Sequence, residues 1–202
     1  MFLDELTGSG NFVRDAANLA QAFREKHGLP GVHQLGLVVQ DVEATAGTLE
    51  AKGIGPFFIA AGKPVLWREL GEDRRFSGRL AMAFHQGFEL ELLEPGAGSD
   101  FYRQSLGPER SIVVQHLGLL VPKVDEWAEK LSIRGYPVRV RGKIKSGPLA
   151  IDFAYMDTAS DAGLIIEFIS WRIMGLPFRP RAGIINALAR LEKLSGKRSW
   201  SL

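Results

Sequence analysis

Residues 34–54, QLGLVVQDVEATAGTLEAKGI, return in outline at residues 116–136, HLGLLVPKVDEWAEKLSIRGY, and the two stretches align without a gap. Leu35, Gly36, Leu37, Val39, Val42, Ala46, Leu49 and Gly53 are matched by Leu117, Gly118, Leu119, Val121, Val124, Ala128, Leu131 and Gly135. Two copies are too few for a solenoid, so the pattern reads as a duplicated module. In each copy an apolar strand (34–39; 115–121) leads into a helix. Val42, Ala46 and Leu49 make one apolar stripe and Val124, Ala128 and Leu131 the other, at helical spacing. Gly53 and Gly135 stop the helices.

Outward from this pair, each copy continues with three extended stretches, near 57–60, 80–84 and 88–93 in the first and near 137–141, 149–156 and 164–169 in the second. His85-Gln86-Gly87 and Asp161-Ala162-Gly163 read as tight connections. The module is therefore strand–helix–strand–strand–strand, written twice. Apolar stripes at 11–27 and 181–195 predict helices flanking the repeat, packed on the core or on a second copy of the chain. The expected organisation is a helical extension at 1–30, modules at 31–110 and 111–172, and a second helical extension at 173–202. Lys197 and Arg198 follow the last helix, where its dipole favours cations.

The 202 residues are 46% hydrophobic and 24% charged, with no cysteine and a net charge of +2. That composition is globular, and it excludes disulfide frameworks and thiolate metal sites. The small charge excess gives no footprint for nucleic acid. MFLDELTGSG carries no leader signature, and no apolar run approaches the ~20 residues of a membrane helix. The expectation is a cytoplasmic protein that binds neither nucleic acid nor membrane. No Walker motif, Rossmann glycine pattern or GxSxG occurs.

Chemistry-bearing residues fall at equivalent places in the two copies. His116 precedes Leu117-Gly118-Leu119, and Gln34 holds that position in the first copy. Glu91 lies in the last strand of copy one, FELELLEP, and Glu167 in the last strand of copy two, LIIEFIS. A carboxylate inside an apolar strand is costly unless paired, hydrogen-bonded or bound to a cation. Its presence in both copies points to a shared centre.

The passages VHQLGLVVQDVEATAGTLEAKGIGPFF, FELELLEP, VVQHLGLLVPKVDEWAEKLSIRGY and LIIEFIS resemble the vicinal oxygen chelate superfamily of glyoxalases, bleomycin-binding proteins and dioxygenases. GIGPFF at 53–58 is similar to its methylmalonyl-CoA epimerase-like subgroup. The resemblance spans roughly 31–170 and implies an α+β fold: two βαβββ modules forming a U-shaped mixed sheet around a divalent metal. Carried over by position, the metal ligands are Gln34, Glu91, His116 and Glu167. Co, Ni, Zn, Mn or Mg would fit an oxygen-and-imidazole set. Two departures stand out. The family usually has His where this chain has Gln34, and His33 sits one residue earlier, on the opposite face of a regular strand. The additional base of the epimerases falls near Ala81, and His85 is a candidate replacement on that face.

The function implied is a metal-dependent isomerase, epimerase or lyase acting on a small carbonyl substrate, with a CoA thioester among the candidates. Removing a proton beside a carbonyl makes an enolate, and a cation at its oxygen stabilises it. Glu91 and Glu167 are the candidate catalytic bases. A sequestering protein without turnover is the alternative. A non-haem iron dioxygenase ranks last, because it needs two His ligands. Phe57, Trp67 and Tyr155 are the expected substrate-binding aromatics, and Phe58, Phe153 and Trp171 could join them. Arg139, Arg141, Lys143 and Lys145 alternate along one face, as for a charged sheet edge or an anion site. A homodimer is the expected assembly.

Overall fold

A computed structural model describes residues 1–109 and 111–196 in full, and residues 200–201 as backbone; Lys197 and Arg198 lie outside these. Three short helices open the chain: α1 (Leu3–Thr7), α2 (Phe12–Asn18) and α3 (Gln21–His27). The single helix expected at 11–27 is broken, because Leu19 turns extended and Ala20 takes a left-handed φ of 49°. The buried Arg24 guanidinium holds the break together, donating to the carbonyls of Leu19, Ala17 and Pro30.

The first half then runs β1 (Gln34–Val38), α4 (Val42–Ala51), β2 (Phe58–Gly62), β3 (Leu66–Glu69), β4 (Glu72–Asp73), β5 (Gly78–His85) and β6 (Phe88–Leu93). The second runs β7 (Val113–Leu120), α5 (Val124–Ser132), β8 (Val138–Ser146), β9 (Leu149–Met156), α6 (Ala159–Ala162) and β10 (Ile165–Ile173). A short β11 (Leu176–Phe178), α7 (Ala182–Ser195) and β12 (Trp200–Ser201) complete the chain. Helix α4 starts where the sequence places it: the Asp41 carboxylate caps the Ala44 N–H at 2.9 Å.

The described strands form one curled mixed sheet in the order β12-β2-β5-β6-β1-β7-β10-β9-β8-β3-β4, with β11 on β10. The halves meet antiparallel at β1–β7, and each contributes an inner parallel pair, β1–β6 and β7–β10. This is the glyoxalase-like α+β half-barrel that the resemblance implies. The excursion β3–β4 is the addition. It leaves the first half after Gly62 and pairs with β8 at the far end of the sheet. Only Lys63, Pro64 and Val65 separate β2 from β3. Four Cα steps reach at most ~14 Å, so the sheet curls until its two ends almost meet.

The convex face carries Leu35, Leu37, Leu90, Leu117 and Phe168 against α4 and α5. The concave face carries Trp67, Met82, Phe153, Tyr155 and Trp171, and α7 adds Ile185 and Ala189 from the β2–β5 side. Buried Glu192 of α7 accepts the Ile59 N–H at 2.8 Å. No described helix is long and apolar enough to cross a membrane.

Candidate functional site

The repeated Leu-Gly-Leu strands build the floor of the concave face. In the β1–β7 ladder Gly36 lies opposite His116 and Gln34 opposite Gly118. A Cβ on Gly36 would sit 1.8 Å from the His116 ring, and one on Gly118 would sit 2.6 Å from Gln34 Oε1. Each glycine thus makes room for the polar side chain of the other half. The parallel pairs repeat the logic: Gly36 faces Glu91 in β6, and Gly118 faces Glu167 in β10. Glu91 and Glu167 therefore hold equivalent places about an internal twofold.

The β1–β7 register slips after Gly36. Gln115 is thereby held beside His116, on the same buried side. Gln115 Nε2 donates to the Phe101 carbonyl and Ser105 Oγ, so its Oε1 remains to face His116 Nδ1 at 3.1 Å. An amide oxygen only accepts, so the Nδ1 proton is fixed there and Nε2 is left for the centre. Nothing in the repeat marks Gln115. Its role depends on the slip, which sequence alternation does not reveal.

His116 Nε2 lies 3.3 Å from Glu167 Oε2 and 3.6 Å from Glu91 Oε2. One ligand atom from each of the three residues falls within 4.8 Å of the others. Burial pushes the Glu91 carboxyl up to about 7, against the pull of His116. Burial alone would lower the His116 pKa, but the neighbouring Glu167 and Glu91 carboxylates raise it to about 9. His116 Nε2, Glu167 Oε2 and Gln34 Oε1 are buried with no hydrogen-bond partner among the described residues. Unpaired buried nitrogen and oxygen atoms around one point fit a divalent cation held by imidazole and carboxylate.

Gln34 lines the same cleft, and its Nε2 donates to Glu89 Oε1 at 2.8 Å. A carboxylate only accepts, so the amide NH2 must face Glu89, and Oε1 is left without a partner. Glu89 is fully buried and was not singled out in the sequence, although it shares its strand face with Glu91. His33 departs from the expected placement. It lies just ahead of β1, outside the strict alternation, and its Nε2 comes within 3.5 Å of Glu89 Oε2. His33 and Gln34 thus share one carboxylate, and His33 is not among the three converging residues.

Above the centre is a mostly apolar cleft. Trp67 and Tyr155 line it, as do Phe153 and Trp171. Phe57 does not: it belongs to the convex-side cluster, and alternation along the chain turns Phe58 to the concave side instead. The Tyr155 ring lies 4.9 Å from that of His116, and its hydroxyl is 2.9 Å from the Tyr102 hydroxyl. Burial raises both phenol pKa values well above normal, so both stay neutral hydrogen-bonding groups. Ala81 is on the convex side, and Met82 is the residue paired with Glu91. His85 packs on Phe12, 5.0 Å between ring centroids, away from the centre. The cationic stripe is not a free edge, because β3 covers β8; Arg141 pairs with Asp125 and Asp152, and Lys143 with Asp152.

The family described as the Glyoxalase/Bleomycin resistance protein/Dioxygenase superfamily matches residues 33–155. Comparison with curated proteins gives no match. Among solved structures, methylmalonyl-CoA epimerase from Mycobacterium tuberculosis aligns at 15% identity and TM-score 0.44, covering 69% of this chain and 86% of its own. A mutant of 4-hydroxymandelate synthase from Streptomyces coelicolor aligns at 16% identity and TM-score 0.50, covering 83% of this chain and 56% of its own. At these identities the likeness concerns the fold.

Proposed function

Because the chain belongs to the glyoxalase/bleomycin resistance protein/dioxygenase superfamily, we propose that it is a metal-dependent isomerase, epimerase or lyase acting on a small carbonyl substrate. The observation that carries this reading is the buried convergence of Glu91, His116 and Glu167 at the floor of an apolar cleft. His116 Nε2, Glu167 and Glu91 would hold a divalent cation, with Gln34 Oε1 as a further oxygen donor. When bound, that cation supplies Lewis-acid stabilisation of negative charge growing on a carbonyl oxygen.

The chain's own residues divide the rest of the work. Glu91 is the proposed base: in the metal-free centre burial raises its carboxyl to about 7, and a cation beside it would favour the ionised form that accepts a proton from carbon. Glu167 is the second candidate, at the equivalent place across the twofold. Gln115 holds the His116 ring, Glu89 holds the Gln34 amide, and the aromatic walls exclude water from the centre. A neutral thioester carbonyl fits the same chemistry, with the charged parts of a coenzyme outside the cleft. We further propose a homodimer; light scattering on the purified protein should then give twice the chain mass.

One observation favours a second reading. A protonated His116 between Glu91 and Glu167 satisfies the centre as an ion pair without any cation, which would suit a sequestering protein. Metal analysis separates the two. The enzyme reading expects one divalent ion per chain, lost in His116→Ala and Glu167→Gln. It also expects solvent deuterium to enter carbon beside the carbonyl of a turned-over substrate. No binding of Co, Ni, Zn, Mn or Mg by the wild type would sink it.

A further inference from the structure

Strand β3 belongs to neither copy of the repeat, yet it supplies a wall of the cleft. Its inward residue is Trp67, only 2% exposed. The indole Nε1 is buried and has no hydrogen-bond partner among the described residues. An indole N–H donates and cannot accept, and leaving it unpaired inside a protein is costly. Its neighbours offer little remedy. Trp67 stacks on Phe76 at 4.2 Å, and Phe153 lies 6.1 Å away edge-on. The Tyr102 ring is 5.9 Å away, but its hydroxyl is engaged with Tyr155.

Charge narrows the choice of ligand. Among the described residues, the charged ones lining the cleft are Arg79, Glu91, Glu94 and Glu167. Arg79 is engaged with Glu43 at 3.1 Å and Glu94 at 3.8 Å. Among the described lining residues, carboxylates therefore outnumber cations, and away from the centre an anionic group would meet no unpaired cation of that lining. Rings such as Trp67, Phe153, Tyr155 and Trp171 share the walls with aliphatic side chains such as Ile144 and Ile169, and such rings favour a flat aromatic body. Trp67, Phe153, Tyr155 and His116 form a continuous row of ring contacts, with centroid separations of 6.1, 5.6 and 4.9 Å. The indole on the cleft wall is thus joined to the imidazole beneath its floor through two further rings.

We propose that the ligand is a neutral aromatic carbonyl compound, with its carbonyl toward Glu91, His116 and Glu167 and an acceptor oxygen at its far end that takes the Trp67 N–H. This rests on the functional reading given above for the carbonyl end. Trp67 is then a specificity-determining residue, contributed by the inserted strand and absent from the second half.

The test uses α-hydroxyacetophenone carrying a para-methoxy, para-ethyl or para-carboxylate group, titrated into the full-length protein by calorimetry with and without Mn(II). Methoxy and ethyl match in size, and only methoxy has an acceptor. The expected result is about tenfold tighter binding of methoxy than ethyl, with the carboxylate weakest. Trp67→Phe keeps a ring and removes the N–H, so the preference should fall to within about twofold while Mn(II) affinity stays unchanged. Equal binding of methoxy and ethyl by the wild type would overturn the proposal without recourse to any variant. So would a preference that survives in a folded Trp67→Phe protein, or a wild type that takes none of the three probes. If Mn(II) fails to bind while the methoxy preference and its loss persist, the Trp67 contact stands and the metal-enzyme reading falls. Mn(II) binding without any methoxy preference gives the reverse.

Discussion

Gly36 and Gly118 show how much of the centre depends on side chains that are not there. A methyl group at Gly36 would run into the His116 ring, which is itself fully buried and cannot retreat. Gly36→Ala should therefore cost about 1–3 kcal/mol of stability by overpacking and abolish metal binding, both measurable by urea unfolding and metal titration. Gly47→Ala is the control: it lies in α4 with nothing within 4 Å of a new Cβ, and it should stabilise by about 0.5–1 kcal/mol. The His116 titration gives a sign for pH. Its pKa is about 9 in the folded protein against roughly 6.5 unfolded. Its stabilisation is thus complete below about 6.5 and lost as pH rises through about 9. Glu91, raised to about 7, acts in the same sense from a lower start. The protein in EDTA should melt at lower temperature at pH 8.5 than at pH 6, and added Mn(II) should raise the melting temperature more at pH 8.5, where fewer protons compete. Glu91, His116 and Glu167 could be picked out because the repeat aligns them. Glu89 could not, because its counterpart in the second half is Ile165, and nothing in FELELLEP separates a carboxylate on the centre from one beside it.

At the scale of elements, legibility follows the repeat. The strands and helices of both copies come from apolar spacing, and the ladders β1–β6 and β7–β10 place them as that spacing requires. Where there is no second copy to compare, the reading fails. The β3–β4 excursion was missed because 63–75 has no counterpart in the other half. The break in the first flanking helix was missed because Ala is the best helix former, yet Ala20 adopts a left-handed conformation. Tertiary contacts override the propensity, above all the Arg24 guanidinium on three carbonyls. Arg24→Met should strand those carbonyls and lower stability by about 3 kcal/mol in urea unfolding, since hydrogen bonds from charged groups are worth ~1.5–3 kcal/mol.

Over the whole molecule, both halves contribute to one centre, so a ligand there bridges the sheet's central joint. A cation at one hundred times its dissociation constant should stabilise the entire fold by about 2.7 kcal/mol, read as a single cooperative shift in melting. Two separate transitions would show instead that the halves unfold independently. The internal twofold is nevertheless imperfect. Glu89 pairs with Gln34 where Ile165 pairs with His116. A planar molecule lying on that axis would show one face to the half that carries an additional buried carboxylate and the other to an aliphatic side chain. The two faces of a prochiral ligand thereby meet halves that differ in residue chemistry at positions the duplication made equivalent.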